Sequence, residues 1–343
     1  MDNFLIIRLS SLGDVIHTLP AFAALRKHFP EAKISWLVEP KGKEILDCVP
    51  GIDQIITAPP KQEAKDLKKY WKDIRSIRNQ LKNKNLIAID FQGLIKSALF
   101  SCFSGAKTRI GFHRKNLKEP VARLFYTEHL KEISEDNHVI LKNLRLLTLL
   151  GINESRLEFP IVLPERVVHS IREKLNNIGY NGQKKLVIIN VGAAWKTKRW
   201  FPESWAKFIR LMEADDKLFF LILWGNDEEN AEAKKLNEQT GVPLVPSLSL
   251  QEVMALIMES SLVITGDTFA LQAASAFQKP VVAIFGPTNP RRNGPFHPQS
   301  QVAFHELECS YCYKRKCQRP KCLKKISPEE IAALSRKALK KDN

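Results

Sequence analysis

The chain alternates short apolar runs with longer stretches in which apolar and polar residues are mixed. Residues 262–264 and 281–285 are continuous apolar runs, and each is followed by turn-forming residues. Strands of a parallel sheet have this pattern because helices cover both faces of the sheet. The alanine-rich stretch 269–278 between the two runs predicts a helix, so residues 262–290 predict a compact β-α-β unit.

Similar apolar runs recur along the chain at residues 4–7, 34–38, 86–90, 185–190 and 218–224. Stretches of helical length separate most of them, and this alternation predicts parallel sheets covered by helices. Residues 153–164 hold two prolines and interrupt the pattern. We therefore predict an α/β protein with two doubly wound domains and place the domain junction in this stretch.

Two of the predicted strand-to-helix turns carry candidate chemistry. The first apolar run is followed by Gly13 and Asp14, and a later one is followed by Gly266, Asp267 and Thr268. Open α/β sheets bind ligands at the carboxyl ends of their strands, and free amides at a helix N-terminus favour phosphate. The simpler interpretation is that Asp14, Asp267 and Thr268 only cap helices.

Length and charge narrow the class of protein. The 343 residues suffice for two domains, and a hydrophobic content of 44% supports packed cores. The net charge of +16 indicates anionic partners such as a nucleotide, an acidic sugar, a phospholipid or a nucleic acid. No apolar run approaches the ~20 residues of a membrane span, and no signal-peptide pattern is present. We therefore expect a cytoplasmic protein.

Residues 63–84 form a strongly basic stretch. Apolar residues recur there at helical spacing, and seven cations surround them, namely Lys65, Lys68, Lys69, Lys72, Arg75, Arg78 and Lys82. The pattern predicts a basic amphipathic helix. This helix presents either an ordinary solvated face or a surface that meets anionic lipid.

Four of the six cysteines lie among basic residues near the C-terminus, at Cys309, Cys312, Cys317 and Cys322. Their spacing begins like a zinc site, but the later intervals differ from those of common zinc ribbons. Structural zinc and reduced thiols are equal alternatives, and disulfides are disfavoured in a cytoplasmic setting. We expect the cluster to be structural and remote from the catalytic chemistry.

Several stretches together resemble the lipopolysaccharide heptosyltransferases of glycosyltransferase family 9, in particular the heptosyltransferase I branch. They are residues 8–15, 90–98, 118–126, 192–200, 224–229, 266–268 and 285–288. Each motif is short, but together they extend over nearly the whole chain. The resemblance implies a GT-B fold, in which two Rossmann-like domains face each other across a cleft and a C-terminal helix returns to the first domain.

The resemblance also implies a domain organisation and a reaction. Residues 1–158 would bind the acceptor, residues 159–322 would bind the nucleotide sugar, and residues 323–343 would form the crossover helix. The implied reaction is the inverting, metal-independent transfer of heptose from ADP-L-glycero-D-manno-heptose to Kdo of the lipopolysaccharide inner core. It requires no cofactor. The lipid acceptor implies that the protein works at the anionic inner face of the cytoplasmic membrane.

Roles for individual residues follow from the same resemblance. Glycosyl transfer needs a base for the acceptor hydroxyl and positive groups for the departing diphosphate. The family's base corresponds to Asp14. The implied donor-binding residues are Lys198, Glu229, Asp267 and Thr268, and the implied acceptor-binding residues are Ser11, Gly13 and Lys96.

Other functions remain as alternatives. Phe269 and Gln272 stand where the family usually has Gly and His, which favours a related glycosyltransferase that uses another sugar nucleotide. The net charge and the cysteine cluster favour a nucleic-acid-binding protein, but no nucleic-acid motif is present and Asp14 would have no role. We therefore expect no nucleic acid as a partner. A catalytically inactive sugar-nucleotide binder is disfavoured because Asp14 and Lys198 are both retained.

Overall fold

The computed structural model describes residues 3–59, 67–81 and 85–340, apart from the side chains of residues 67–73. Its contacts divide the chain into two compact units, Met1–Val162 and Leu163–Asn343. Each unit has its own sheet, and all the strand pairs in both sheets are parallel. The predicted α/β class with two doubly wound sheets is therefore confirmed.

The first unit contains a six-stranded sheet in the order β3-β2-β1-β4-β5-β6. Its strands are β1 (Asn3–Ile7), β2 (Lys33–Val38), β3 (Gln54–Thr57), β4 (Leu86–Asp90), β5 (Thr108–Gly111) and β6 (Glu128–His129). The strand order reverses between β1 and β4, and such a switch point is where doubly wound sheets bind ligands. At the carboxyl end of this pair, Ile7 lies opposite Asp90.

The helices of the first unit follow its strands. They are α1 (Leu12–His28), α2 (Pro40–Leu46), α3 (Leu67–Gln80), α4 (Ile95–Phe103) and α5 (Val139–Leu146). Short 3-10 turns at Arg114–Asn116, Pro120–Phe125 and Leu147–Leu150 complete the unit. Because α1 and α4 start directly after β1 and β4, their N-terminal turns lie at the switch point.

Helix α3 covers most of the predicted basic helix. Ile74, Ile77 and Leu81 are buried and belong to the core under the first sheet, as helical spacing predicts for an apolar face. Arg75 and Arg78 are exposed. The cations predicted at 65, 68, 69, 72 and 82 lie outside the described side chains. The described apolar face of this helix is therefore used for packing within the unit.

The second unit contains a five-stranded sheet in the order β11-β10-β9-β7-β8. Its strands are β7 (Lys185–Asn190), β8 (Leu218–Leu223), β9 (Leu262–Gly266), β10 (Val281–Ile284) and β11 (Gln301–Ala303). The order reverses between β7 and β9, where Asn190 lies opposite Thr265. The loops that follow these two strands therefore meet at the second switch point.

The helices of the second unit cover both faces of this sheet. They are α6 (Glu165–Asn177), α7 (Pro202–Met212), α8 (Asp227–Thr240), α9 (Leu250–Glu259), α10 (Phe269–Ala276), α11 (Pro290–Asn293), α12 (Lys321–Lys325) and α13 (Pro328–Leu339), with a 3-10 turn at Lys196–Lys198. In the part of the chain that the structure describes, no helix is both long enough and apolar enough to span a membrane.

The last helix, α13, packs on the core of the second unit. Its start follows the sequence signals, since the Ser327 hydroxyl accepts a hydrogen bond of 3.1 Å from the Glu330 amide. Its apolar face packs against α7 and strands β9 to β11. Ile331 and Ala338 are part of the second unit's core. The apolar face of this helix is therefore buried within the second unit, and its return to the first domain stays a prediction.

Candidate active site

Asp14 lies in the first turn of α1, at the switch point of the first sheet. Its Oδ2 atom accepts hydrogen bonds from the Ser11 amide (3.1 Å) and the Ser11 hydroxyl (3.0 Å). Asp14 thus stabilises the start of the helix, as the simpler interpretation of the sequence proposed. The carboxylate remains accessible, with about a third of the side chain (36%) exposed. Capping therefore leaves part of this carboxylate open to a ligand.

The second carboxylate oxygen of Asp14 faces a buried arginine. Arg8 Nη2 lies 3.3 Å from Asp14 Oδ1, and Arg8 Nη1 donates a hydrogen bond of 2.5 Å to the Phe91 carbonyl. Burial of the carboxyl opposes ionisation, but the Arg8 guanidinium, His17 and the Ser11 amide together hold the pKa of Asp14 well below its usual range. Asp14 is therefore ionised throughout the physiological pH range.

His17 lies beneath Asp14, one turn along α1. Its Nδ1 atom is 3.8 Å from Asp14 Oδ1, and neither ring nitrogen has a hydrogen-bond partner among the described residues. The ring packs edge-on against that of His138, the residue before α5, at 5.5 Å between ring centroids. The sequence analysis did not select His17, although its spacing of three residues from Asp14 could have identified it.

The loop that carries Asp14 is held from the neighbouring strand. Gln92 Oε1 accepts hydrogen bonds from the Leu9 and Ser10 amides, both of 3.1 Å. Gln92 is oriented in turn by Asp90, whose Oδ1 atom accepts the Gln92 amide at 2.9 Å. In the sequence, Asp90 and Gln92 stand out only as members of the 90–98 motif. Their role as supports of the Asp14 loop requires that β1 and β4 be adjacent.

Asp90 is a fully buried carboxyl with four hydrogen bonds. Besides the Gln92 amide, it accepts hydrogen bonds from the Gly93 amide (3.0 Å), the Ser97 hydroxyl (2.8 Å) and the Tyr126 hydroxyl (2.7 Å). Burial raises the pKa of Asp90, and these hydrogen bonds only partly oppose that shift. These four hydrogen bonds compensate for the burial of the Asp90 carboxyl and fix the turn after β4.

The predicted acceptor-binding residues are only partly brought together. Ser11 and Gly13 share the α1 turn with Asp14. Lys96 lies in the first turn of α4, where its Nζ atom is 3.2 Å from Glu39 Oε1 and donates to the Pro59 carbonyl at the same distance. The positive charge of Lys96 is therefore paired with an acidic side chain in this structure.

In the second unit, Lys198 and Asp267 form a nearly buried ion pair. Lys198 Nζ lies 2.7 Å from Asp267 Oδ2 and donates a second hydrogen bond of 3.1 Å to the Asp267 carbonyl. The two residues are 69 positions apart, and they meet because the loops after β7 and β9 adjoin at the switch point. Two of the predicted donor-binding residues are therefore in direct contact.

Thr268 precedes the first residue of α10, but its hydroxyl does not cap that helix. It lies 2.9 Å from the Thr265 hydroxyl and accepts a hydrogen bond of 3.1 Å from Asn190 Nδ2. These contacts connect the ends of β7 and β9. They hold the N-terminus of α10 at the switch point, where its first amides can face a phosphate.

Glu229 is buried in the first turn of α8. Its Oε2 atom accepts the Gly225 amide at 2.8 Å, and its Oε1 atom lies 3.3 Å from Arg199 Nη2. A Cβ atom at Gly192 would lie 2.1 Å from this carboxylate, so the close approach requires glycine there. The sequence analysis missed the structural role of Arg199, which also lies near Glu228 and Glu232.

The residues that depart from the family pattern also contribute to this site. Gln272 is buried, and its Nε2 atom donates a hydrogen bond of 2.9 Å to the Asn293 carbonyl. Asn293 Nδ2 is in turn 3.4 Å from Asp267 Oδ2. Gln272 therefore supports a side chain that contacts the Lys198–Asp267 pair. Phe269 is half-buried at the start of α10.

The segment with the four cysteines, residues 309–322, lies against the candidate donor site. The Thr197 hydroxyl donates a hydrogen bond of 2.8 Å to the Lys314 carbonyl, and the Tyr313 amide donates one of 3.1 Å to the Pro287 carbonyl. The backbone of this segment therefore contacts the loop that carries Lys198, a residue of the candidate donor site. Among the described residues, no group of three or more His, Cys, Asp or Glu side chains is arranged to hold a metal ion.

Comparisons with known proteins agree with these features. The sequence profile of glycosyltransferase family 9 (heptosyltransferase) matches residues 74–323. Lipopolysaccharide heptosyltransferase 1 of Pseudomonas aeruginosa is 27% identical over 354 residues, which cover 96% of this chain and 95% of the relative. The Escherichia coli K12 protein of the same name is 26% identical over 295 residues, which cover 83% of this chain and 88% of the relative.

Solved structures give the same fold. E. coli heptosyltransferase WaaC with ADP has a TM-score of 0.79 at 22% identity and covers 98% of this chain and 99% of its own. A glycosyl transferase family 9 structure from Veillonella parvula has a TM-score of 0.82 at 22% identity, covering 98% of this chain and 97% of its own. The predicted GT-B fold is thus confirmed, and with the family profile it defines an enzyme of the glycosyltransferase class. The chain belongs to glycosyltransferase family 9, the heptosyltransferase family, as its motifs predicted.

Proposed function

We propose that this enzyme transfers heptose from ADP-L-glycero-D-manno-heptose to Kdo of the lipopolysaccharide inner core, as a heptosyltransferase I. The observation that carries the proposal is the accessible, ionised Asp14 at the switch point of the first sheet, in a chain of this family. The curated relatives at 26–27% identity carry the name lipopolysaccharide heptosyltransferase 1. We propose further that residues 1–158 bind the acceptor and residues 159–322 bind the donor.

The proposed reaction is an inverting displacement without a metal ion. The acceptor oxygen attacks the anomeric carbon, the bond from that carbon to the phosphate oxygen breaks, and its electron pair leaves with ADP. Asp14 takes the proton of the acceptor hydroxyl. Its low pKa makes it a weak base, so we infer that the proton moves late, once the forming C–O bond has made the hydroxyl more acidic.

Charge that develops on the departing ADP needs stabilisation in the second unit. We assign this role to Lys198 and to the N-terminus of α10, which Thr268 and its partners hold at the switch point. Asp267 would orient Lys198, since it accepts two hydrogen bonds from the lysine ammonium. Glu229 is assigned to the ribose hydroxyls, and the Gly225 and Arg199 contacts would fix its position.

The acceptor would be bound by Ser11, Gly13 and Lys96. Ser11 and Gly13 adjoin Asp14 in the same turn, so an acceptor hydroxyl near the base would contact them. Lys96 would exchange its contact with Glu39 for an acidic group of the acceptor. Kdo carries a carboxylate, which suits an ammonium group as partner.

The test is turnover of purified enzyme with ADP-heptose and a Kdo-bearing lipid A acceptor, followed by mass spectrometry. We expect one heptose to be added and ADP to be released, in the absence of any added metal. Absence of product with these two substrates would contradict the proposal.

A second candidate donor is favoured by Gln272, which stands where the family usually has histidine. Because Gln272 is engaged with Asn293 and cannot carry a positive charge, the diphosphate side of the site is less positive than in the family pattern. The same assay with ADP-glucose and UDP-sugars tests this alternative. Product from one of these donors, but not from ADP-heptose, would favour a related glycosyltransferase.

We also propose that the enzyme is cytoplasmic and associates peripherally with the inner face of the cytoplasmic membrane. The first unit has two strongly exposed apolar side chains on one 3-10 turn, Leu124 (80% exposed) and Val121 (54% exposed). Lys118 precedes this pair in the sequence, and Arg123 lies between its two members. Apolar side chains with a basic surround are suited to an anionic lipid surface. The net charge of +16 favours the same partner.

A further inference from the structure

The cysteine segment, residues 309–322, is attached to two loops of the candidate donor site. Its Lys314 carbonyl accepts the Thr197 hydroxyl at 2.8 Å, next to Lys198 in the chain. Tyr313 binds the loop after β10 through its amide to Pro287 (3.1 Å) and through its hydroxyl, which accepts the Asn289 amide at 3.4 Å. These contacts fix the backbone immediately before Arg315 relative to the loop that holds Lys198 and the loop after β10.

Two cationic side chains, those of Lys198 and Arg315, lie over the indole ring of Trp195. Lys198 Nζ lies 4.6 Å from the centroid of the indole ring, and Arg315 Cζ lies 5.0 Å from the same centroid. Both distances are within the range of a cation–π interaction. The ring thereby gathers two positive charges from segments that are 117 residues apart in the sequence.

Three cations in the loop after β7 have acidic partners. Lys198 is paired with Asp267, and Lys196 with Glu228. Arg199 lies within 3.6 Å of three carboxylates, those of Glu228, Glu229 and Glu232. These three cations and four carboxylates together carry one net negative charge, so the paired groups by themselves do not attract a diphosphate.

Arg315 differs from these cations. Its guanidinium has no acidic partner among the described residues, and its side chain is exposed. An arginine that stacks on an indole keeps its N–H edge free, and that edge matches two phosphate oxygens. It can therefore add a positive charge without an acidic partner beside the Lys198–Asp267 pair.

We propose that Trp195 and Arg315 form an anion subsite that binds the diphosphate of the nucleotide-sugar donor, so that the cysteine segment is part of the donor site. Trp195 holds the guanidinium in place, and Arg315 binds the phosphate oxygens beside Lys198. This deepens the proposed function and rests on it for the identity of the nucleotide. The subsite itself requires only a ligand with a diphosphate group.

The test is isothermal titration of the full-length enzyme with ADP, inorganic pyrophosphate and adenosine. We compare wild type with Arg315→Ala and with a matched control, Arg319→Ala, which removes another exposed arginine of the same segment. We expect Arg315→Ala to raise the Kd for ADP and for pyrophosphate about tenfold or more, as for the loss of a hydrogen bond to a charged group. The Kd for adenosine should be unchanged, and Arg319→Ala should behave as wild type.

A second variant tests whether the indole ring of Trp195 is needed to hold Arg315. Trp195→Leu keeps an apolar side chain but removes the π face, so we expect it to weaken ADP and pyrophosphate binding while leaving adenosine binding unchanged.

Equal ADP affinity of wild type and Arg315→Ala would overturn the subsite and leave the proposed function intact. Equal loss of adenosine and ADP binding by Arg315→Ala would also overturn it, since Arg315 would then support the fold. A wild type that binds pyrophosphate but not ADP would overturn the proposed donor, and the pyrophosphate comparison would still decide the role of Arg315.

Discussion

Asp14 uses its two carboxylate oxygens for different contacts. Oδ2 caps α1 through Ser11, whereas Oδ1 faces Arg8 and His17. The pKa of Asp14 in the folded protein lies below its value in an unfolded chain. Its ionisation therefore stabilises the fold at neutral pH, and this contribution is lost as the pH falls through the unfolded and then the folded pKa. One side chain can thus serve both the helix and the proposed reaction.

We predict that Asp14→Asn folds and binds ADP but transfers sugar about 10²–10⁴-fold more slowly, since an amide cannot take the acceptor proton. Initial rates and ADP titration measure the two effects. Asp53→Asn is a matched control, because Asp53 also binds a backbone amide (Ile34, 2.7 Å) and an arginine (Arg26, 2.5 Å) in the first unit. The control should lose stability but keep its rate. Activity of Asp14→Asn within a few-fold of wild type would exclude it as the base.

Lys198 is the second residue on which the proposed mechanism depends. We predict that Lys198→Ala weakens ADP binding and slows transfer, because it removes a positive charge from the diphosphate and leaves Asp267 without its ion-pair partner. Titration with ADP and with adenosine separates the roles, and only ADP affinity should fall. Lys196→Ala, a change in a more exposed neighbour, should have little effect. An equal loss for both ligands would mean that Lys198 supports the fold instead.

At the scale of secondary-structure elements, the two switch points explain where the candidate site residues lie. In each sheet the candidate residues follow the two strands between which the order reverses, β1 and β4 in the first and β7 and β9 in the second. Adjacent parallel strands end at the same edge, so the loops that follow them meet. Gln92 contacts the Asp14 loop, and Lys198 contacts Asp267, for this reason.

The thiols of the cysteine segment are either zinc ligands or free. Metal analysis of the purified enzyme separates the two alternatives for its thiols: about one zinc per chain supports ligation, and none supports free thiols. Because the segment binds Thr197 and Pro287, we predict that Cys312→Ser lowers the affinity for ADP severalfold. Cys102→Ser changes an exposed cysteine of the first unit and should not. Normal ADP binding by Cys312→Ser would show that the segment keeps its place without this thiol.

At the scale of the whole molecule, the net charge of +16 should make membrane association dependent on salt. We predict that the enzyme sediments with anionic vesicles at low salt and is released at high salt. Each Lys or Arg near an anionic leaflet contributes about 1 kcal/mol. A variant with Lys68, Lys69, Lys72 and Arg75 changed to Glu should therefore bind weakly. Equal vesicle binding by this variant and wild type would leave the basic stretch as an ordinary solvated face.

The exposed apolar side chains of Val121 and Leu124 allow a second comparison by vesicle sedimentation. Leu124→Ser should weaken vesicle binding, because it removes apolar surface that would enter the headgroup region. Val162→Ser, at a comparably exposed apolar residue (64%), is the control and should bind as wild type. Identical behaviour of the two variants would exclude Leu124 from a lipid contact.

The class of fold and the positions of the candidate site residues at strand ends could be predicted from the sequence. A buried parallel strand is a continuous apolar run, and the turn and helix that follow it are local features. Asp14, Asp267 and Thr268 could therefore be placed at strand ends without knowledge of the tertiary structure. The motifs also sufficed to predict the family, because their order along the chain is itself part of the sequence.

The distant residues that support these positions are apparent only in the folded chain. Arg8 and Asp14 are close in sequence, but Gln92 reaches the same loop from 82 residues away, and Arg315 reaches Trp195 from the far end of the second unit. The packing of α13 on the second unit was also decided at this level. An apolar helix face predicts that burial will occur but not against which surface, because the hydrophobic effect is non-directional and partners are chosen by the topology of the whole chain.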